Sequence, residues 1–285
     1  MIQNQLAKKL LKNKIIKNIY FSNPEEFYLE NIQYWYSICK LETQHNEHSI
    51  GYGVSRKLEV AKLKSFMEAV ERLTTKDKLF HGSACYWFSA LAKWHAKLEM
   101  IERDTWLKFL IFNYPVVHCI SKKEIQILEV PSFHKDIFVY FSFYKNYLCT
   151  PYGVGASYNK NMALDHSLCE LVLSLIRHKY KDCSSDNTMY GVLHQRTIKA
   201  EFKDKTSLNH FNCYDCKNLE IKNAVSHFEI LSNCCSWPIS VATVSSSAYL
   251  RWDLNWLLDP NIEHHNNTIL DHYKIKPNPN LLAIG

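Results

Sequence analysis

An α+β fold, with helices laid against mixed sheets, is predicted by three features of the sequence. Glycine is scarce, seven in 285 residues, yet five fall at three places: Gly51 and Gly53, Gly82, then Gly153 and Gly155. Each place precedes a helical pattern with an Ala seven residues before a Glu: Ala61 and Glu68, Ala92 and Glu99, Ala163 and Glu170. Three other stretches, 123–130, 136–145 and 238–245, alternate or are rich in β-branched and aromatic residues, which predicts strands.

The glycine-led segments are GYGVSRKLEVAKLKSFMEAVER, GSACYWFSALAKWHAKLEMIERD and GVGASYNKNMALDHSLCELVLSLIR. They read as copies of one unit, a glycine turn followed by a helix. Seven residues is nearly two helical turns, so Ala and Glu share a side, and the small Ala lets another backbone pack beneath the carboxylate. Glu68 with Glu71, and Glu99 with Glu102, are three apart and share a face. Like charges at that spacing repel, so E-x-x-E-R at Glu68–Arg72 and again at Glu99–Arg103 asks for a cation. Magnesium fits, because it takes hard oxygens from a few carboxylates together with phosphates. The arginine after each pair suits phosphate oxygens. An isolated E-x-x-E-R is a solvated helix face; phased copies point instead to a polyphosphate site. On this reading, thinning the acids relieves repulsion, and Glu102→Ala leaves stability level or higher.

Composition sets the boundaries. The formal net charge is +6, partly from lysines before Tyr20, with Lys and Arg elsewhere interspersed among Asp and Glu, so a dedicated nucleic-acid role is not expected. Apolar stretches such as 109–112 and 137–143 fall well short of the roughly 18 residues that span a bilayer, so no membrane segment is expected. Residues 1–18 read as a basic amphipathic helix without the apolar centre of a secretory signal. With ten cysteines in a chain that is neither small nor visibly exported, reduced thiols and a cytoplasmic setting are expected. Residues 1–45 form a lead-in and 46–285 the main domain.

The motifs resemble those of the YcaO family. The first is IGYGVSRKLEVAKLKSFMEAVERL (Ile50–Leu73), the second ALAKWHAKLEMIERDTW (Ala90–Trp106) and the third YGVGASYNKNMALDHSLCEL (Tyr152–Leu171), with EMIERD the most specific fragment. The resemblance implies a two-layer assembly of sheets and helices and an ATP site lined by all three motifs. It implies that Glu68, Glu71, Glu99 and Glu102 hold magnesium, that Ser65 and Arg103 belong to the nucleotide site with Arg103 on phosphate, and that Glu170 closes the site. Such proteins use ATP to turn Cys, Ser or Thr of a ribosomal precursor peptide into azolines, or to make thioamides, as in bacteriocin maturation. Implied partners are a precursor peptide and a leader-binding protein, with a homodimer as a further option. The sequence departs from the family pattern in the short interval from Arg72 to Glu99, in Lys64 beside Ser65, and in the absence of Gln between Glu170 and Gln195. Those departures support a second reading, a non-catalytic scaffold or peptide- and nucleotide-binding subunit.

The tail KPNPNLLAIG, with Pro277 and Pro279, is similar to the proline-rich end of azoline-forming members and equally to an ordinary frayed terminus. Cys213 and Cys216, with Cys234, Cys235 and His210 or His227, have a suggestive zinc spacing, but buried free thiols are the default. His264 and His265 lie in a polar stretch and receive no role.

Overall fold

The computed structural model describes residues 16–75, 80–111, 116–132, 134, 136–144, 151–180, 226–231 and 239–246. The zinc candidates other than His227, the histidine pair at 264 and 265, and the proline-containing tail lie outside the described residues. The chain forms two compact units, Met1–Met100 with Ser226–Ser245, and Ile101–Val225 with Ser246–Gly285.

In the first unit the long strand β3 (Ile32–Thr43) organises a sheet. Strands β1 (Ile16–Phe21) and β2 (Glu25–Leu29) pair with its two halves, and β4 (His48–Ser55) also pairs with it, all antiparallel. The basic helix expected over residues 1–18 gives way by Ile16 to β1, where Ile16 is buried in the core and Lys17 pairs outward with Glu42 at 2.8 Å. Backbone pairing with β3, which shifts register between Ile16 and Asn18, overrides the local lysine–leucine pattern. The β2–β3 hairpin closes through Glu30 and Asn31, both at positive φ (49° and 64°), as a two-residue type I′ turn requires.

Helix α1 (Leu58–Thr75) lies on this sheet, and α2 (Ser89–Ile111) follows β5 (Gly82–Trp87). β5 pairs with β11 (Ile239–Ser246), and β11 with β10 (Ser226–Leu231). Phe66, Met67, Val70 and Leu73 of α1 meet Cys39, Leu41, Cys85, Leu231, Ile239 and Val241 in one core. The burial of Cys39 pushes its thiol pKa up to about 12.

In the second unit β6 (His118–Ser121), β7 (Ile125–Pro131), β8 (Phe138–Tyr144) and β9 (Tyr152–Ser157) form an antiparallel sheet in chain order. Helix α3 (Lys160–Tyr180) follows β9. Its start is capped by Asn159, whose Oδ1 accepts from the amides of Asn161 (2.9 Å) and Met162 (3.2 Å). Trp106 packs edge-on against Phe141 (5.0 Å between centroids) and stacks on Tyr152 (4.4 Å).

The strands expected at 123–130, 136–145 and 238–245 are β7, β8 and β11. The repeat differs from expectation in one respect: its glycines stand inside β4, β5 and β9 rather than in turns, and none has positive φ. Their reason is space. A methyl at Gly53 would stand 2.0 Å from the carbonyl oxygen of Ala61, and one at Gly82 would stand 2.3 Å from that of Ala96. The helix backbone rests directly on the strand backbone, which only glycine on the strand and small residues on the helix permit. Ala61, Ser65, Ala96, Ala163 and Ser167 supply those small positions and are fully buried.

Gly53→Ala should therefore lift α1 off β4 and destabilise the protein by about 1–3 kcal/mol, as overpacking does. Denaturant unfolding of the two proteins measures it. An unchanged midpoint would show that the contact is loose.

Candidate functional site: carboxylates clamped to the strands

The close approach of helix to strand brings glutamates to the strand amides. Glu68 on α1 accepts from the Tyr52 amide through Oε2 at 2.6 Å. Glu99 on α2 accepts from the Ser83 amide, also at 2.6 Å. Tyr52 and Ser83 each directly follow the glycine that leads their repeat, Gly51 and Gly82, so this is one interaction made twice.

The second acid of each pair reaches onward to the strand of the next repeat. Glu71 takes the Cys85 amide at 3.2 Å on Oε2 and the Ser83 hydroxyl at 2.6 Å on Oε1. In the second unit Glu102 accepts from the Ala156 amide at 3.2 Å. Cys85 and Ala156 both stand three residues after the leading glycine of their strand. In the first unit the acids of α1 thus tie it to its own strand, β4, and to β5, the strand of the next repeat. A carboxylate acceptor on a backbone amide is a charge-assisted bond, stronger than an amide–carbonyl bond.

The remaining expected residues divide. Arg103 is half-buried on α2, directly after Glu102. Glu170 on α3 is near His166, whose ring nitrogens stand 3.8 Å from Glu170 and 3.7 Å from Glu102. Tyr152, in the same unit, has its phenol pKa pushed up, first by burial. Arg72, expected on phosphate, instead pairs with Glu68, donates to the Ile50 carbonyl at 3.1 Å and lies over the Tyr52 ring. Ser65, expected in the nucleotide site, has no exposed surface; its hydroxyl donates to the Lys62 carbonyl at 2.8 Å and lies 3.4 Å from the Ser37 hydroxyl.

Sequence reasoning missed the strand amides of Tyr52, Ser83, Cys85 and Ala156, because amides carry no sequence signal. It also missed His166, although its place thirteen residues after Gly153 matches Lys64 after Gly51 and His95 after Gly82, a phase the repeat itself could have disclosed.

The geometry also bears on a metal. An ionised carboxylate has about four lone-pair positions. One amide and one hydroxyl donor on Glu71 fix its orientation, as outer hydrogen bonds do for metal-binding acids. Among the described residues no three His, Cys, Asp or Glu side chains gather closely enough to hold a metal by themselves. Any metal held by these acids would need further ligands from outside the described side chains, such as phosphate oxygens and water. No helix among the described residues is long and apolar enough to cross a membrane.

No protein-family model and no curated protein matches the sequence. Solved structures match in fold. The YcaO protein from Methanopyrus kandleri, bound with AMPPCP and Mg2+, gives a TM-score of 0.60 at 11% identity, covering 92% of this chain and 93% of that one. The E. coli microcin synthetase McbBCD complex gives 0.52 at 10% identity, covering 80% and 86%. The chain has a YcaO-like fold, the α+β arrangement that its motifs implied.

The clamp overturns one expectation. Ala156 is buried, so Glu102→Ala strands a buried amide instead of merely thinning a repelling cluster. Stability should fall by about 1–3 kcal/mol. Thermal unfolding checks it, and a melting point equal to or above that of the wild type would return Glu102 to a purely repulsive role.

Proposed function

We propose that this chain binds magnesium-ATP through Glu68, Glu71, Glu99 and Glu102, with Arg103 on phosphate and Glu170 completing the site, and uses it to activate a peptide backbone amide. The observation that carries this reading is the pair of clamps at Glu71 and Glu102. Carboxylates fixed by backbone amides are oriented before any ligand arrives, so little ordering is left for binding to do. The AMPPCP and Mg2+ in the Methanopyrus kandleri protein, which shares the fold, agree with it.

Bound magnesium-ATP supplies the phosphoryl group that captures the amide oxygen and makes it a leaving group. The chain's own residues orient and neutralise. The clamped glutamates hold the metal's ligand geometry, and Arg103 meets phosphate charge with a planar fork. The substrate is a ribosomally made precursor peptide presented by a leader-binding partner, and its Cys, Ser or Thr side chain attacks the preceding carbonyl to give an azoline, or an external sulfide attacks it to give a thioamide, the phosphorylated oxygen leaving as phosphate in either case. The E. coli microcin synthetase, a complex, has the same fold, in keeping with a partnered role. A non-catalytic scaffold is favoured instead by the short connection between α1 and β5, residues 76–81.

Substituting Gln at Glu99 or Glu102 keeps an acceptor oxygen for the strand amide but removes the charge a metal needs. Each variant should melt near the wild type yet bind magnesium-ATP at least about tenfold more weakly, the loss of roughly one charge-assisted contact. Calorimetry decides it, and unchanged affinity in both variants refutes the metal role. Phosphate release and loss of water from a Cys/Ser/Thr-rich peptide, assayed with the partner present, then separate enzyme from scaffold.

A further inference from the structure

The strand residue directly after the leading glycine is Tyr52, Ser83 and Val154 in the three repeats. At Tyr52 and Ser83 the backbone amide serves the first glutamate of the helix that follows, Glu68 and Glu99, each at 2.6 Å. Of the three residues, Ser83 alone carries a hydroxyl on its Cβ, and this hydroxyl donates to Oε1 of Glu71 on the preceding helix α1, at 2.6 Å. A single half-buried residue of β5 therefore holds an acid of α1 with its side chain and an acid of α2 with its main chain.

Oε2 of Glu71 accepts from the Cys85 amide at 3.2 Å, so the carboxylate has a donor on each oxygen. Two such bonds fix the plane of the group, and losing one loosens it. A serine hydroxyl has one proton to give, and here it goes to Glu71. The fold does not need that hydroxyl. On β9 the residue in its place is Val154, yet the helix lies just as close, since a methyl at Gly153 would stand 2.1 Å from the Ser167 carbonyl oxygen. Glu102, the counterpart of Glu71 on α2, still takes its strand amide at Ala156. Helix–strand contact and amide clamp thus form with valine at this position, and the bond from Ser83 is an addition directed at Glu71.

We propose that Ser83 is a positioning residue that sets metal selectivity: its hydroxyl fixes the Glu71 carboxylate while its amide fixes Glu99, so one residue sets an acid of α1 relative to an acid of α2. The inference rests on the reading of the chain as a magnesium-ATP-binding protein and deepens it. Magnesium demands near-octahedral ligand geometry, whereas calcium accepts an irregular and flexible set. Carboxylates held in fixed planes by hydrogen bonds from behind favour the stricter ion. Ser83 acts through Glu71 and favours magnesium over calcium.

Calorimetric titration of the full chain with a non-hydrolysable ATP analogue, in magnesium and separately in calcium, tests the role. Ser83→Ala should weaken binding about tenfold in magnesium, the loss of one hydrogen bond to a charged group, and about threefold or less in calcium. Ser83→Thr keeps the hydroxyl and suits a strand, and should stay within about twofold of the wild type in both metals. Melting curves without ligand show that each variant folds; if Ser83→Ala does not, Ser83→Cys, a weaker donor at the same place, is measured instead. Equal weakening in the two metals would mark Ser83 as merely structural and overturn the proposal. So would unchanged magnesium affinity in Ser83→Ala, or a folded Ser83→Thr as weak as Ser83→Ala. Failure of the ATP reading looks different: the wild type itself binds the analogue no more tightly in magnesium than in EDTA.

Discussion

The contact on which each unit depends is helix backbone against strand backbone. Gly53 and Gly82 are strand residues because no side chain fits beneath α1 and α2, where a single methyl would meet a carbonyl oxygen at 2.0 and 2.3 Å. That proximity does more than fill space. It lowers the helix until a glutamate side chain can reach the amide just past the glycine, as Glu68 reaches Tyr52 and Glu99 reaches Ser83. A bulkier interface would hold the helix farther away and leave the carboxylates to water. Packing and the disposition of charge are therefore one constraint, repeated.

From this follows the double character of the acids. Read as bare helix positions, Glu68 with Glu71 and Glu99 with Glu102 repel. Read with the strands present, they accept from backbone donors, which offsets the repulsion without any metal. The same bonds hold the carboxylates in a fixed orientation, as outer hydrogen bonds do for acids that bind a cation with little reorganisation. On the proposed reading, the structural role of these positions prepares the binding one. Ser65 has a different setting: it is fully buried in the helix–strand contact, its hydroxyl bonded to the Lys62 carbonyl and the Ser37 hydroxyl.

The repeat was legible in the sequence because its period is carried by side chains: Ala seven residues before Glu, and Glu three residues before Glu. Strands β7, β8 and β11 were legible from alternation and β-branching. The glycines were misplaced into turns because glycine has low strand propensity, and the need for close approach is a property of the partner helix, not of the strand. The first three residues of β1 fall in the basic helix expected over 1–18, because the lysines and apolar residues of that stretch fit a helical period locally, while the pairing with β3 that decides the matter is remote in sequence. The clamps at Cys85 and Ala156 were invisible for a related reason. Their acceptors are 14 and 54 residues away, and their donors are amides that any residue but proline would supply.

Residue-resolved hydrogen exchange, with and without magnesium and a non-hydrolysable ATP analogue, tests most directly whether the clamps and the nucleotide site are the same atoms. The amides of Tyr52, Ser83, Cys85 and Ala156 should be protected in the free protein and slow further when the analogue binds, while those of β7 stay unchanged. Fast exchange at these four amides, or binding that slows others and leaves them untouched, would contradict the account.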